Sequence, residues 1–96
     1  MAASWSRGPM DGRSRIAWNL RRIRAAKAVT QENLAVDAGV DRTSISDIER
    51  CEFNPSVDLL DRLAAALSVD LADFFVIPAE GAEPPKPLRA GRKSRR

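Results

Sequence analysis

Apolar residues recur at helical spacing through the middle of the chain and at no regular spacing near either end. Ile16, Leu20 and Ile23 form one stripe that stops near Lys27, which predicts a first helix with one side turned to a core. Thr30 has the hydroxyl to cap a second helix, Gln31 to Ala38. That helix carries Leu34, Ala35 and Ala38 on one face, and Gly39 supplies a left-handed stop. Val40 bridges to Asp41, a good N-cap for a third helix, Arg42 to Arg50, in which Ile45 and Ile48 face inward. Asn54-Pro55 breaks the chain. Ser56 then caps a fourth helix in which Val57, Leu60, Ala64 and Leu67 recur with Leu63 beside them. Asp70 caps a last short helix holding Leu71, Phe74 and Phe75, and Pro78 ends it.

Composition agrees with this pattern, because β-branched and aromatic residues are sparse while Ala, Leu, Ile, Arg and Asp dominate. The expectation is an all-α, five-helix domain over residues 16–77. Residues 1–15 mix Gly, Ser, Arg and Pro without periodicity and read as a flexible arm. Residues 78–96 hold four prolines and a closing Arg-Lys-Ser-Arg-Arg cluster and read as a disordered basic tail. The formal net charge is +3, yet from Ile16 to Ile77 seven Lys/Arg face ten Asp/Glu, a net of −3. The basic character therefore belongs to the ends, and the high pI is weak evidence about what the folded part does.

The available chemistry is narrow. No histidine is present and Cys51 is the one cysteine, which excludes Cys/His zinc sites, His-based general bases, Ser-His-Asp triads and internal disulfides. With no glycine-rich phosphate loop and no carboxylate pair placed for a cleft, the chain is not expected to be an enzyme or to hold a cofactor, metal or small-molecule ligand. A lone cysteine, no apolar signal segment and no run long enough to cross a bilayer fit a cytoplasmic protein without a membrane partner.

The second and third helices, joined by a tight turn with Gly39, have the layout in which the later helix enters the DNA major groove. Thr30-Gln31-Glu32-Asn33-Leu34-Ala35, then Ala38-Gly39-Val40-Asp41-Arg42-Thr43-Ser44-Ile45-Ser46, then Ile48-Glu49-Arg50 and Asn54-Pro55-Ser56 closely resemble the Cro and phage-repressor (Xre-type) family. The run Asp41 to Arg50 is similar to the small controller proteins of restriction-modification systems. Gln31 sits where free backbone N–H groups and the helix dipole favour a phosphate. Arg42 can present its planar fork to guanine O6 and N7, against the plainer reading of a solvated charge beside Asp41. Thr43, Ser44 and Ser46 follow on the groove side as base contacts or as ordinary surface residues. Asp47 can accept from a cytosine amine or simply penalise wrong sequences. The resemblance implies phosphate contacts from Arg50 and Asn54. It also implies a partly buried ion pair between Arg24 and Glu49 that ties the first helix to the third.

Three features ask for a further explanation. Trp18 lies about 200 degrees round the first helix from Ile16 at 100 degrees per residue, so it is expected to be exposed, covered by the N-terminal arm or by a partner. Leu59, Leu71, Phe74 and Phe75 are read together as an apolar patch for a symmetric homodimer, which would set two recognition helices about 34 Å apart on a pseudo-palindromic operator. Cys51 stands where the family it resembles usually has glycine after the Glu-Arg pair, so the turn there is expected to differ. The function expected is a sequence-specific regulator of transcription, a repressor or autoregulator on double-stranded DNA. The alternative is a protein-interaction module such as an antitoxin or anti-activator, motivated by the acidic core and Trp18.

Overall fold

A computed structural model describes residues 11–79 and 81–85 of the chain. Four α-helices follow one another, α1 (Gly12–Lys27), α2 (Gln31–Ala38), α3 (Arg42–Glu49) and α4 (Val57–Leu67). Among the described residues the 3-10 helix Leu71–Phe75 closes the series in place of a fifth α-helix. Each boundary has a local cause. Thr30 Oγ1 accepts from Asn33 N at 3.1 Å to open α2, and Ser56 Oγ accepts from Leu59 N at 3.0 Å to open α4. Asp70 and Asp73 form a capping box, the Asp73 carboxylate accepting from Asp70 N at 3.1 Å. Asp41 occupies the N-cap of α3 without a side-chain cap bond, so that helix is opened by its backbone alone.

The first helix starts four residues earlier than the apolar stripe indicates. Asp11 caps it, accepting from Ser14 N at 2.9 Å, and the backbone hydrogen bond from Ser14 holds the Asp11 carboxyl below its ordinary pKa. Arg13 and Arg15 are thus helical, while Trp5 and Arg7 of the expected arm lie outside the described residues.

Ile16, Leu20 and Ile23 of α1 meet Leu34 and Ala35 of α2, Ile45 and Ile48 of α3, and Leu60, Leu63, Ala64 and Leu67 of α4 in one core. Phe74 of the 3-10 helix is completely buried among them. Residues Ile16 through Leu20 are buried in unbroken succession, so α1 is enclosed on more than one side. The second enclosing element is the C-terminal segment. Trp18 is 6% exposed, and a groove of about 500 Å³ beside it is lined by Asn19, Arg22, Val76, Ile77 and residues as far as Pro85. The tryptophan expected to be exposed is therefore buried, and it borders the same groove as the C-terminal segment. The start of the segment expected to be a disordered tail lies along α1, and the closing basic cluster falls outside the described residues.

Asn19 explains how that segment is held. Its Nδ2 lies 2.9 Å from Phe74 O, 2.8 Å from Val76 O and 2.9 Å from Arg15 O, while its Oδ1 accepts from Arg22 Nε at 3.1 Å. A buried amide with every partner present is a specific latch, since the same group left unmatched would destabilise the core. Among the described residues, left-handed turns also fall at three positions other than glycine, Ala28 (φ 57°), Cys51 (φ 62°) and Ser68 (φ 59°). At Cys51 the expected difference does not occur: the turn after α3 is left-handed despite the side chain, whose Sγ lies 3.9 Å from Arg13 O and Ser14 Oγ.

Candidate nucleic-acid interface

The turn between α2 and α3 is built by Gly39 at φ 70°, which ends α2 with its N–H directed to the last carbonyls of that helix. From α4, Arg62 Nη1 donates to Gly39 O at 3.4 Å, so the fourth helix also fastens the turn. Nothing in residue spacing singles out Arg62 or Asn19; both act on backbone carbonyls that only the fold brings near. With α2 and α3 held this way, the start of α3 projects Arg42 and Thr43 into solvent. Ser44, Ser46 and Asp47 are half-buried along the same helix.

Beneath this surface lies the ion pair. Arg24 Nε donates to Glu49 Oε2 at 2.6 Å and Arg24 Nη2 to Glu49 Oε1 at 2.8 Å, with the two side chains 7% and 6% exposed. Arg24 Nη1 also donates to Val29 O at 2.8 Å, which ties the α1–α2 connection to the same guanidinium. A bidentate fork, a third donor used and little water access describe a pair whose partners are fully engaged.

Gln31, at the first position of α2, links this pair to the surface. Its Nε2 donates to Glu49 Oε1 at 2.9 Å, and its Oε1 accepts from Arg42 Nη1 at 3.3 Å. Arg42 Nε also stands 3.8 Å from Glu32 Oε2, an exposed contact of little energetic weight. Arg50, the C-cap of α3, turns back on its own neighbours. It donates to Ser46 Oγ at 2.9 Å, Asp47 Oδ1 at 2.7 Å and Glu52 Oε1 at 3.2 Å. Asn54 is exposed in the segment leading to α4. The structure thus brings Gln31, Arg42 and Glu49 into one bonded series and places Arg50 with Ser46 and Asp47. Thr43 stands apart, on the exposed start of α3.

The four residues read as an apolar patch divide. Phe74 is entirely buried in the core of this chain and offers no surface to a second copy, because the 3-10 helix turns it inward against α1 and α4. Leu59 and Leu71 are partly buried against the core, and Phe75 is exposed, continued by exposed Val76 and Ile77. Trp18 is buried, so of the two features that motivate the protein-interaction alternative only the acidic core remains. No helix among the described residues is long and apolar enough to cross a membrane.

Comparison with known proteins places this geometry in context. The helix-turn-helix family model matches residues 20–74. A hypothetical transcription factor of Neisseria meningitidis is 37% identical over 70 residues, a stretch covering 73% of this chain and 66% of that protein. The control protein C.BamHI of Bacillus amyloliquefaciens is 44% identical over 62 residues, covering 60% of this chain and 76% of its own. Among solved structures, the restriction-modification controller protein C.AhdI of Aeromonas hydrophila superposes with a TM-score of 0.64 at 33% identity, over 66% of this chain and 96% of that one.

Proposed function

The chain belongs to the helix-turn-helix family of DNA-binding transcriptional regulators, of the Cro and phage-repressor type, and we propose that it binds a pseudo-palindromic operator as a homodimer with α3 in the major groove. The observation that carries this reading is the pairing of helix starts: Gln31 opens α2 beside Arg42, which opens α3, and Gln31 accepts from Arg42 at 3.3 Å. Arg42 reads a guanine edge and Thr43 the adjoining base. The N-terminus of α2 with Gln31, together with Arg50 and Asn54, holds phosphates, while Ser44, Ser46 and Asp47 border the groove.

Exposed apolar groups at the C-terminal end of the fold support self-association, Phe75, Val76 and Ile77 being 38%, 48% and 61% exposed. A two-fold dimer through this region and α4 presents two copies of α3, and a two-fold protein matches a two-fold operator. The relatives' printed names, a control protein and a restriction-modification controller protein, name a controlling role, and repression or autoregulation in the cytoplasm is the form of it proposed for this chain. Selection of duplexes from a randomised double-stranded pool by the full chain is expected to return paired half-sites centred one helical turn apart. Arg42→Ala is expected to erase the preference at one base pair per half-site. Recovery of unpaired or unrelated sequences would remove the reading.

A further inference from the structure

We propose that Glu49, acting through Gln31, is a positioning residue that sets how strictly Arg42 discriminates between bases. The inference rests on the reading of Arg42 as a base contact and adds what holds it. Glu49 Oε1 accepts from Arg24 Nη2 at 2.8 Å and from Gln31 Nε2 at 2.9 Å. A carboxylate only accepts, so it fixes which end of the Gln31 amide faces it; the reversed amide would set oxygen against oxygen. The Gln31 oxygen must then point away, and it meets Arg42 Nη1 at 3.3 Å.

A buried ion pair thereby dictates the orientation of an exposed guanidinium, 50% accessible, two hydrogen bonds away. The second N–H of the Gln31 amide stays available for a phosphate, so positioning and backbone contact are compatible in one side chain. The Nη2 end of Arg42 has no bonded partner among the described residues and is the end presented to a base. An arginine already held in one orientation loses less side-chain freedom on docking. It is also less able to swing to the acceptors of a wrong base pair.

The experiment uses the full chain and a duplex selected by it from a randomised pool, with single-base variants as competitors. The pair read by Arg42 is the one whose preference Arg42→Ala abolishes. Gln31→Met, which keeps length and removes both polar ends, is expected to lower discrimination at that pair by roughly 3- to 10-fold and to change nothing there in the Arg42→Ala background. Arg24→Met/Glu49→Leu, replaced together so that neither charge is left alone, is expected to lose the same discrimination while a thermal melt shows it folded.

A Gln31→Met loss that is equal for all duplexes, or equal in both backgrounds, makes Gln31 a phosphate contact only and overturns the proposal. Full discrimination by the doubly replaced protein removes Glu49 from it. If Arg42→Ala leaves every base preference intact, the base-reading role of Arg42 is refuted and the positioning role with it. That outcome differs from the others because it needs no Gln31 variant.

Discussion

Breaking the Arg24–Glu49 pair on one side is the most demanding test of how this small fold is held. The Glu49 carboxylate takes three N–H donors, two from Arg24 at 2.6 and 2.8 Å and one from Gln31 at 2.9 Å, with both charged side chains at or below 7% exposure. Glu49→Leu leaves the Arg24 guanidinium buried without a counter-charge, a change that costs roughly 3 to 5 kcal/mol. Against this stands the stability of a domain whose family-matched part is residues 20–74. At about 0.05 to 0.15 kcal/mol per residue, 55 residues give a total of roughly 3 to 8 kcal/mol. The single replacement is therefore expected to leave the protein at the edge of unfolding at 25 °C. With a urea slope of about 1 kcal/mol/M, its midpoint falls by about 3 M or disappears.

Arg24→Met/Glu49→Leu removes both charges, and its remaining deficit is set by the lost bonds to Val29 O and Gln31, about 1 kcal/mol each. The double replacement is thus expected to be more stable than Glu49→Leu alone by about 1 to 3 kcal/mol, read from urea melts followed by far-UV circular dichroism. A Glu49→Leu protein within about 1 kcal/mol of the parent would refute the reasoning, because no uncompensated buried charge is that cheap.

The left-handed turn at Cys51 supplies a change of opposite sign. Cys51→Gly relieves an L-residue at φ 62°, worth about 1 to 2 kcal/mol, against about 0.4 to 1 kcal/mol lost to the freer unfolded chain. A net gain of about 0.5 to 1 kcal/mol is expected in a denaturant melt, whereas Cys51→Val, β-branched at the same φ, should lose stability. At the latch, Asn19→Leu strips the donor from Phe74 O and Val76 O, and a loss of about 2 to 3 kcal/mol is expected. In a Trp5→Phe background that variant should also shift Trp18 emission to the red, since releasing the C-terminal segment admits water to the indole. An unshifted spectrum would show that the segment is held by something other than Asn19.

Helices α2, α3 and α4 were legible because each has a capping side chain or a capping position, a stripe and a stop within a dozen residues, all local quantities. The start of α1 was missed because its first turn has no inward apolar residue; only Asp11, three residues before Ser14, marks it. Trp18 and Phe74 were misplaced for one shared reason. A helical wheel assigns one buried side per helix, and α1 has two, the second supplied by residues more than fifty positions away that Asn19 captures. The Arg24–Glu49 pairing was accessible only through the family resemblance, as spacing alone cannot match charges 25 residues apart. Cys51 carried a readable signal, an unfavourable residue where a left-handed turn is required, but composition does not say whether the turn or the preference yields. Here the helix-to-helix packing prevails over the preference of one residue.

How an acidic fold can bind a polyanion follows from what its cations are doing beforehand. Ile16 to Ile77 carries a net of −3, and the two arginines of the proposed face are engaged within the protein. Arg50 donates to Asp47 at 2.7 Å and to Glu52 at 3.2 Å, while Arg42 meets Gln31 at 3.3 Å and stands 3.8 Å from Glu32. A phosphate that takes Arg50 must replace Asp47 and Glu52, so an arbitrary stretch of phosphates gains little on approaching this face. Asp47 is spent on Arg50 in the free protein. On the proposed reading, a phosphate that takes Arg50 would set the Asp47 carboxylate free against the groove, where it would be attractive beside a cytosine amine and repulsive beside the acceptors of the other bases. Phosphate capture and base discrimination would thereby be joined in one exchange at the end of α3. On the proposed reading, the free energy withheld from non-specific contact by the acidic neighbours is recovered only on a sequence that satisfies Arg42 and Asp47 together, which is how a domain of net negative charge would select one site among many.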